Sequence, residues 1–416
     1  MIRKVHCFGM ALVLTALGGQ SFLFGQSKAI DNSKDVELIG VAQIPGDAID
    51  KTGLNEVLID DIRHDRLGGF SAIAQAKRKQ QFIAVSDRGP KDGAVDYACR
   101  FHTFEILIHP NRKKTVNIKL VGTTLFKRKD GSTYSGLSLK HEDNQRFDPE
   151  GIRLLENGNL VVSDEYGPHV VEFDFKKGRE VKKHPVDKKF LIAKPGQTKA
   201  EENKNNTSGR QGNRGMEGLA VTPSGNVYGL MQSPLIQDCE RTEEGKLKGL
   251  NCRMVGLSET KKEFVYQLDD KSNKLNEILA VDENVFLVIE RDGKVGSESS
   301  YKKINVISID GATDVQNIDS LPAKKLSDDV KPVAIKPVVK RCLIDLLDSR
   351  WGLHAQMPEK IEGLCFGPRL ANGRRTLLVL SDNDFEKQAS QLFVFAVPEN
   401  LLTVSVVDTS KKGLAK

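Results

Sequence analysis

The sequence predicts an all-β fold, a single-domain β-propeller, from three observations. A short hairpin phrase returns five times along the chain. Runs of β-branched and aromatic residues bounded by turn residues dominate, and long amphipathic helical patterns are rare. Nothing between residues 36 and 407 reads as a domain linker. Repeats of this kind mean a propeller or a solenoid.

Each copy opens on a short apolar strand, turns, and closes on a second strand that mostly ends in an acid. Phe70-Ser71-Ala72-Ile73 leads to Ser86-Asp87-Arg88-Gly89, and Asp148-Pro149-Glu150-Gly151-Ile152 leads to Ser163-Asp164-Glu165. Arg214-Gly215-Met216-Glu217-Gly218-Leu219 leads to Leu230-Met231-Gln232-Ser233. Asn276-Glu277-Ile278-Leu279 leads to Glu290-Arg291, and Lys360-Ile361-Glu362-Gly363-Leu364 leads to Ser381-Asp382.

Further strands are expected at Val36 to Ile44, His102 to Ile108, Thr115 to Val121, His169 to Phe175 and Gln391 to Val397. Asn157-Gly158, Asp292-Gly293 and Asn372-Gly373 supply turns. Leu343 to Trp351 reads as a brief helix or as a strand and turn. About twenty strands would make six blades of four over 36–407, with five or seven left open by the insertions. Closed rings avoid bare sheet edges when the two chain ends share a blade, and the strands at Val36 and Gln391 are the expected partners. The polar segment Lys194 to Arg214 and the Lys/Asp/Pro-rich segment Thr313 to Lys336 read as surface insertions, the first one mobile.

The termini differ from the body. Arg3 and Lys4 precede an apolar stretch from Phe8 to Leu17 and then small residues. That is the pattern of a secretory signal peptide over 1–26, its cleavage point open, and the stretch is too short to span a membrane. Residues 408–416 read as a frayed tail. No later segment reads as a membrane span, so the expectation is a secreted or periplasmic monomer. The formal charge of +6 lies in lysine-rich loops such as Lys77-Arg78-Lys79, without the aromatic interleaving of a nucleic-acid surface. Of six cysteines, Cys7 falls within the signal. Cys239 and Cys252 bracket a polar segment between strands and are expected to form a disulfide; Cys342 with Cys365 is a second pairing, which leaves Cys99 over.

The chain lacks a nucleophile elbow, a phosphate loop, a dinucleotide fingerprint and a His-Glu-x-x-His zinc site. Asp382-Asn383-Asp384 begins like a calcium loop, but Lys387 stands where glycine is needed. What remains is acids at repeated positions. Glu150, Glu217 and Glu362 each precede glycine at the start of an inner strand and would point into the mouth of the channel. Asp87, Asp164, Glu290 and Asp382 end the following strand. Clustered carboxylates repel unless a cation neutralises them, and oxygen-only clusters suit Ca²⁺ or another hard divalent cation. Arg88, Arg214 and Arg291 accompany the acids and could bind a small anionic or ester substrate. The same acids would serve equally as turn devices that cap backbone N–H groups. Ser71, Ser163 and Ser381 read as backbone-bonding residues rather than nucleophiles.

At these residues the chain resembles the phytase-like domain family, also called the esterase-like activity of phytase family. The marks are Gly68-Gly69-Phe70-Ser71-Ala72, Ser86-Asp87-Arg88-Gly89, Asp148-Pro149-Glu150-Gly151-Ile152, Ser163-Asp164-Glu165, Arg214-Gly215-Met216-Glu217-Gly218-Leu219 and Ile361-Glu362-Gly363-Leu364, over roughly residues 65–397. The resemblance implies an exported, propeller-like protein whose repeated Asp and Glu serve phosphodiester or phosphomonoester hydrolysis. Gln232 departs from the acid found at the matching strand end of other repeats.

Three expectations follow. The first is an exported hydrolase of phosphate or related esters, with Glu150, Glu217 and Glu362 as acid/base residues. In it Asp87, Asp164, Asp382, Glu150 and Glu217 hold the cation, while Arg88, Arg214 and Arg291 hold the anion. The second is a non-catalytic propeller that binds an anionic ligand or a protein. The third is a metal-dependent lactonase-type propeller.

Overall fold

In the computed structural model, residues 35–137, 146–258, 261–326 and 334–404 are described. The expected signal peptide and the tail after Asp408 lie outside them.

Strand β1 (Glu37–Ile44) and a small hairpin, β2 (Val57–Ile59) with β3 (Ile62–Arg63), precede the first blade. Blade one is β4 (Phe70–Gln75), β5 (Gln81–Ser86), β6 (Arg100–Ile108) and β7 (Val116–Leu125). Blade two is β8 (Pro149–Leu154), β9 (Asn159–Asp164), β10 (Val170–Asp174) and β11 (Glu180–His184). Blade three starts with β12 (Met216–Val221) and β13 (Val227–Met231). A hairpin, β14 (Glu240–Arg241) and β15 (Leu247–Lys248), interrupts it before β16 (Asn251–Gly256) and β17 (Glu263–Gln267). Blade four is β18 (Lys274–Ala280), β19 (Val285–Arg291), β20 (Lys302–Ser308) and β21 (Val339–Asp345). Blade five is β22 (Ile361–Arg369), β23 (Arg375–Ser381) and β24 (Ser390–Val397), completed on its outer edge by β1.

There are therefore five blades, not six. Each returning phrase builds one inner hairpin, so the phrase count gives the blade count. The six-blade expectation divided chain length by blade length, and the long connections between blades consumed the difference. The closure is as expected: β1 pairs antiparallel with β24, from Glu37 opposite Ala396 to Ile44 opposite Ser390. Inner strands of neighbouring blades touch in the cycle β4, β8, β12, β18, β22 and back to β4.

The core follows from this ring. Five main apolar clusters each fill the space between two neighbouring blades. Between blades one and two, for example, Ala72, Ile83, Val85 and Phe101 meet Ile152, Leu160, Val162 and Phe173. Burying each of the larger side chains contributes about 1.5–3 kcal/mol relative to exposure.

The Lys194 to Arg214 insertion is more ordered than its composition suggests. The helix Lys199–Asn205 rises within it, with the Thr198 hydroxyl accepting from the Glu201 amide. Its Glu202 is buried and pairs with Arg210 at 2.6 Å, and the Arg210 Nε donates to the Tyr166 carbonyl at 2.7 Å, which anchors the insertion to the body. Leu343 to Trp351 is the end of β21 followed by a single 3₁₀ turn at Ser349–Trp351.

The expected disulfides do not form: Cys99, Cys239, Cys252, Cys342 and Cys365 are all free thiols. Cys252 is buried within β16, its sulfur over the Gln232 carbonyl, while the Cys239 thiol faces the Pro234 carbonyl. The two thiols that bracket the loop in sequence stay unbonded. Cys342 lies exposed on the outermost strand of blade four, and Cys365 is buried on the innermost strand of blade five.

Candidate functional site

The five inner strands share one irregularity. Pairing with the second strand slips between Phe70 and Ala72, Pro149 and Ile152, Met216 and Gly218, Leu275 and Ile278, and Ile361 and Gly363. A bulge re-aims the side chain that it leaves unpaired. The residues set free at the equivalent place are Ser71, Glu150, Glu217, Asn276 and Glu362. Bulges repeated at one level of a ring turn these five side chains toward the same mouth.

The glycines after the glutamates allow blades to close on one another. A Cβ on Gly151 would lie 2.7 Å from the Leu219 nitrogen, one on Gly218 2.6 Å from the Ile278 nitrogen, and one on Gly363 3.0 Å from the Ile73 nitrogen. In blade four Glu277 stands at the glycine position. Its carboxylate accepts from the Leu219 and Ile278 amides and pairs with Arg153 at 2.9 Å. Arg153 also donates to the carbonyls of Ile73, Ile152 and Ile278, from three different inner strands. Its guanidinium plugs the channel below the acid ring.

Above the plug lies a cavity of about 400 Å³. Ser71, Glu150, Glu217 and Glu362 line it together with Asp87, Glu165, Asp382 and Asp384. The cations of its wall are Arg88, Lys91, Lys199, Lys274, Arg291 and Lys360. Two carboxylate triads stand out, each offering oxygens within 4.8 Å of one another: Asp87 with Asp382 and Asp384, and Asp148 with Glu150 and Glu165.

Hydrogen bonds orient these acids unequally. Glu217 Oε1 accepts from Gln232 at 2.7 Å and from Asn276 at 3.0 Å, while its Oε2 has no partner. Glu362 accepts from Asn276 and from Arg291 at 2.7 Å. Arg88 donates to Asp148, Asn213 and Asp92, and its Nη1 lies 3.5 Å from Glu165 Oε2. Lys360 donates to Asp382 at 3.2 Å and to Asp384.

Burial and mutual repulsion set the acidities. Burial, then Glu217, Asp148 and Glu165, hold the Glu150 carboxyl well above its ordinary range. Burial, then Glu165 and Glu362, do the same for Glu217. Burial raises Asp87, with Asp382 adding to it. Glu165 is pushed up to about 7 by burial and then by Asp148. Asp382 also reaches about 7, burial outweighing the Lys360 ammonium. Burial draws Lys274 down to about 8, helped by Arg291 and Arg214.

The structure brings Glu150, Glu217, Glu362, Asp87, Asp382, Arg88 and Arg291 into this one cavity. Asp164 is not among the lining residues; its oxygens accept from the amides of Asp148, Tyr166 and Gly167, the turn-capping role. Arg214 is also outside the lining, 3.4 Å from Gln211 Oε1. The Ser163 hydroxyl bonds the Gly151 amide and the Glu217 carbonyl, and the Ser381 hydroxyl accepts from the Gln391 amide.

Glu165, Asp384, Lys274 and Lys360 line the cavity but were not singled out from the sequence. Strand alternation carried a signal for two of them. Lys274 and Lys360 stand two residues before Asn276 and Glu362, on the same side of the inner strand.

Several known proteins are similar. Over 266 residues the chain is 27% identical to an uncharacterized secreted protein of Arthroderma benhamiae, covering 48% of this chain and 49% of that protein. The chain thus spans about half the length of this relative. Among solved structures, a gluconolactonase of Xanthomonas campestris is 10% identical with a TM-score of 0.34, covering 86% of this chain and 98% of its own. Myxococcus xanthus glutaminyl cyclase is 8% identical with a TM-score of 0.35, covering 87% of this chain and 97% of its own. The family model for the esterase-like activity of phytase matches residues 65–385, and the chain belongs to this phytase-like family.

Proposed function

We propose that the chain is an exported hydrolase of phosphate esters or related esters, acting in the acid cavity with a hard divalent cation. The observation that carries this reading is the convergence of Glu150, Glu217 and Glu362 in one cavity with a lysine wall, where Glu217 Oε2 and Glu165 Oε1 have no partner. The donor set is oxygen only, which suits Ca²⁺, Mg²⁺ or Mn²⁺. Such a cation, when bound, polarises the phosphoryl or acyl oxygen and lowers the pKa of water.

The chain's own residues divide the remaining work. Glu217, fixed through one oxygen by Gln232 and Asn276, keeps the other oxygen free to take a proton from water. Glu150 faces the other carboxylates and would hold the cation together with them. Lys274 lines the cavity with no carboxylate bonded to it and receives the anionic group of the substrate. Arg88 and Arg291 already bond acids, so they position carboxylates as well as contributing positive charge. Export fits both the basic-then-apolar N-terminus and the secreted relative. No helix among the described residues is long and apolar enough to cross a membrane.

The test is hydrolysis of 4-nitrophenyl phosphate, bis(4-nitrophenyl) phosphate, phytate and a γ-lactone, in chelator and in CaCl₂, MgCl₂ or MnCl₂. Cation-dependent release of phosphate is expected, with Glu217→Gln slowing turnover by about 10²–10⁴-fold. Turnover of the lactone alone would move the reading to a lactonase. No turnover of any ester with any cation would leave a binding propeller.

A further inference from the structure

The two carboxylate triads are not equivalent, and the difference assigns the cation. We propose that Asp148, Glu150 and Glu165 form the seat of a hard divalent cation beside the free Oε2 of Glu217. Lys360 is then the internal counter-ion of the other triad. The inference rests on the cation-assisted reading of the cavity, but its test measures binding rather than hydrolysis.

Geometry permits a cation at either triad. Oxygens bonded to one Ca²⁺ at 2.3–2.6 Å lie at most about 5 Å apart. Both triads meet that bound, each within 4.8 Å.

Satisfaction separates them. In the Asp87, Asp382 and Asp384 triad an ammonium is already in place: Lys360 bonds both Asp382 and Asp384. Backbone amides take further oxygens, Gly89 on Asp87 and Asp384 on Asp382, each at 2.8 Å. A cation entering there must displace Lys360.

The other triad has donors left over. Glu165 is 1% exposed and its Oε1 has no partner; Glu217 is 3% exposed and its Oε2 has none. Both residues line the cavity, as does Glu150, whose carboxylate takes no hydrogen bond or ion pair among the described residues. Arg88 Nη1 bonds Asp148 and approaches Glu165 through Oε2, which leaves Glu165 Oε1 to the cavity. Buried carboxylate oxygens with no partner are costly, and a cation among them removes the cost.

The seat is also held rigid. The Glu165 amide donates to the Asp148 carbonyl at 2.9 Å, tying two of the proposed ligands together. Asp164 Oδ1 receives the Asp148 and Tyr166 amides, which fixes the backbone next to both ligands. A Cβ on Gly215 would fall 1.9 Å from the Glu165 carbonyl oxygen, so only glycine lets blade three pack there. Asp164 is therefore a positioning residue behind the seat, and Glu165 replaces it as ligand.

The experiment is calorimetric titration of chelator-treated protein with CaCl₂, MgCl₂ and MnCl₂, paired with melting scans. Wild type is expected to bind one of them saturably, with a matching rise in Tm. Glu165→Gln and Glu150→Gln are each expected to weaken binding at least tenfold, while Asp384→Asn changes it less than threefold. In chelator, Glu165→Gln should melt no lower than wild type, because it removes a repelling charge. Wild-type affinity in both glutamine variants, loss of binding in Asp384→Asn, or no binding of any of the three ions overturns the assignment. Binding lost in Glu165→Gln without any ester turnover would keep the seat and remove the hydrolase.

Discussion

Arg153 and Glu277 meet where the inner strands converge, Nη2 lying 2.9 Å from Oε2. Both side chains are buried, at 7% and 0% exposure. The guanidinium reaches carbonyls of β4, β8 and β18, so one side chain ties together strands of three blades. It also helps to line a second cavity of about 470 Å³.

Removing that plug should destabilise the ring as a whole. Arg153→Met leaves Glu277 buried with an uncompensated charge, a loss of about 3–5 kcal/mol. Adding Glu277→Gln should recover part of it. Guanidinium unfolding of the two variants measures both, and an unchanged midpoint for Arg153→Met would show that the pair is not a tie.

Glycine at the blade contacts should be needed in proportion to the space available. Gly218→Ala places a methyl 2.6 Å from the Ile278 nitrogen and Gly363→Ala one 3.0 Å from the Ile73 nitrogen. Overpacking of this kind costs about 1–3 kcal/mol, with Gly218→Ala expected to be the worse. Ala72 fills the matching place in blade one, so the reverse ranking in melting scans would contradict the geometry.

The carboxylate crowd should make stability depend on pH in a defined direction. Glu165 and Asp382 reach about 7 in the fold, against ordinary values of 4.5 and 3.8. The folded state therefore holds their protons more tightly than the unfolded chain. Their contribution is complete below about pH 4 and is lost as pH rises through 7. In chelator, Tm should fall between pH 5 and 7.5, and an added cation should flatten the slope. A Tm that climbs over that interval in chelator would refute the crowding.

The thiols should titrate as free. A chain beginning after Cys7, denatured without reductant, should react with a thiol reagent at Cys99, Cys239, Cys252, Cys342 and Cys365. Cys239→Ser should leave the melting curve the same with and without reductant. Finding two fewer thiols would restore the loop disulfide.

The sequence by itself determined the architecture and the level of the site. Strand patterning is local, so the all-β fold, the closing pair near Val36 and Gln391, and the hairpins were legible in short windows. The phrase containing Glu150, Glu217 and Glu362 was legible because each copy carries its own bulge and its own glycine, and identical local rules on a ring place like residues together. Tertiary structure decided the rest. It set five blades, since residues between blades look no different in sequence from residues within them. It turned Asp164 into a cap and Glu165 toward the cavity, because the direction of a side chain at a strand end depends on the turn that follows. It gave Lys360 to Asp382 and Asp384, kept Cys239 and Cys252 apart, and placed Arg153 under the ring. Those are meetings between distant parts of the chain, which only the closure of the propeller fixes.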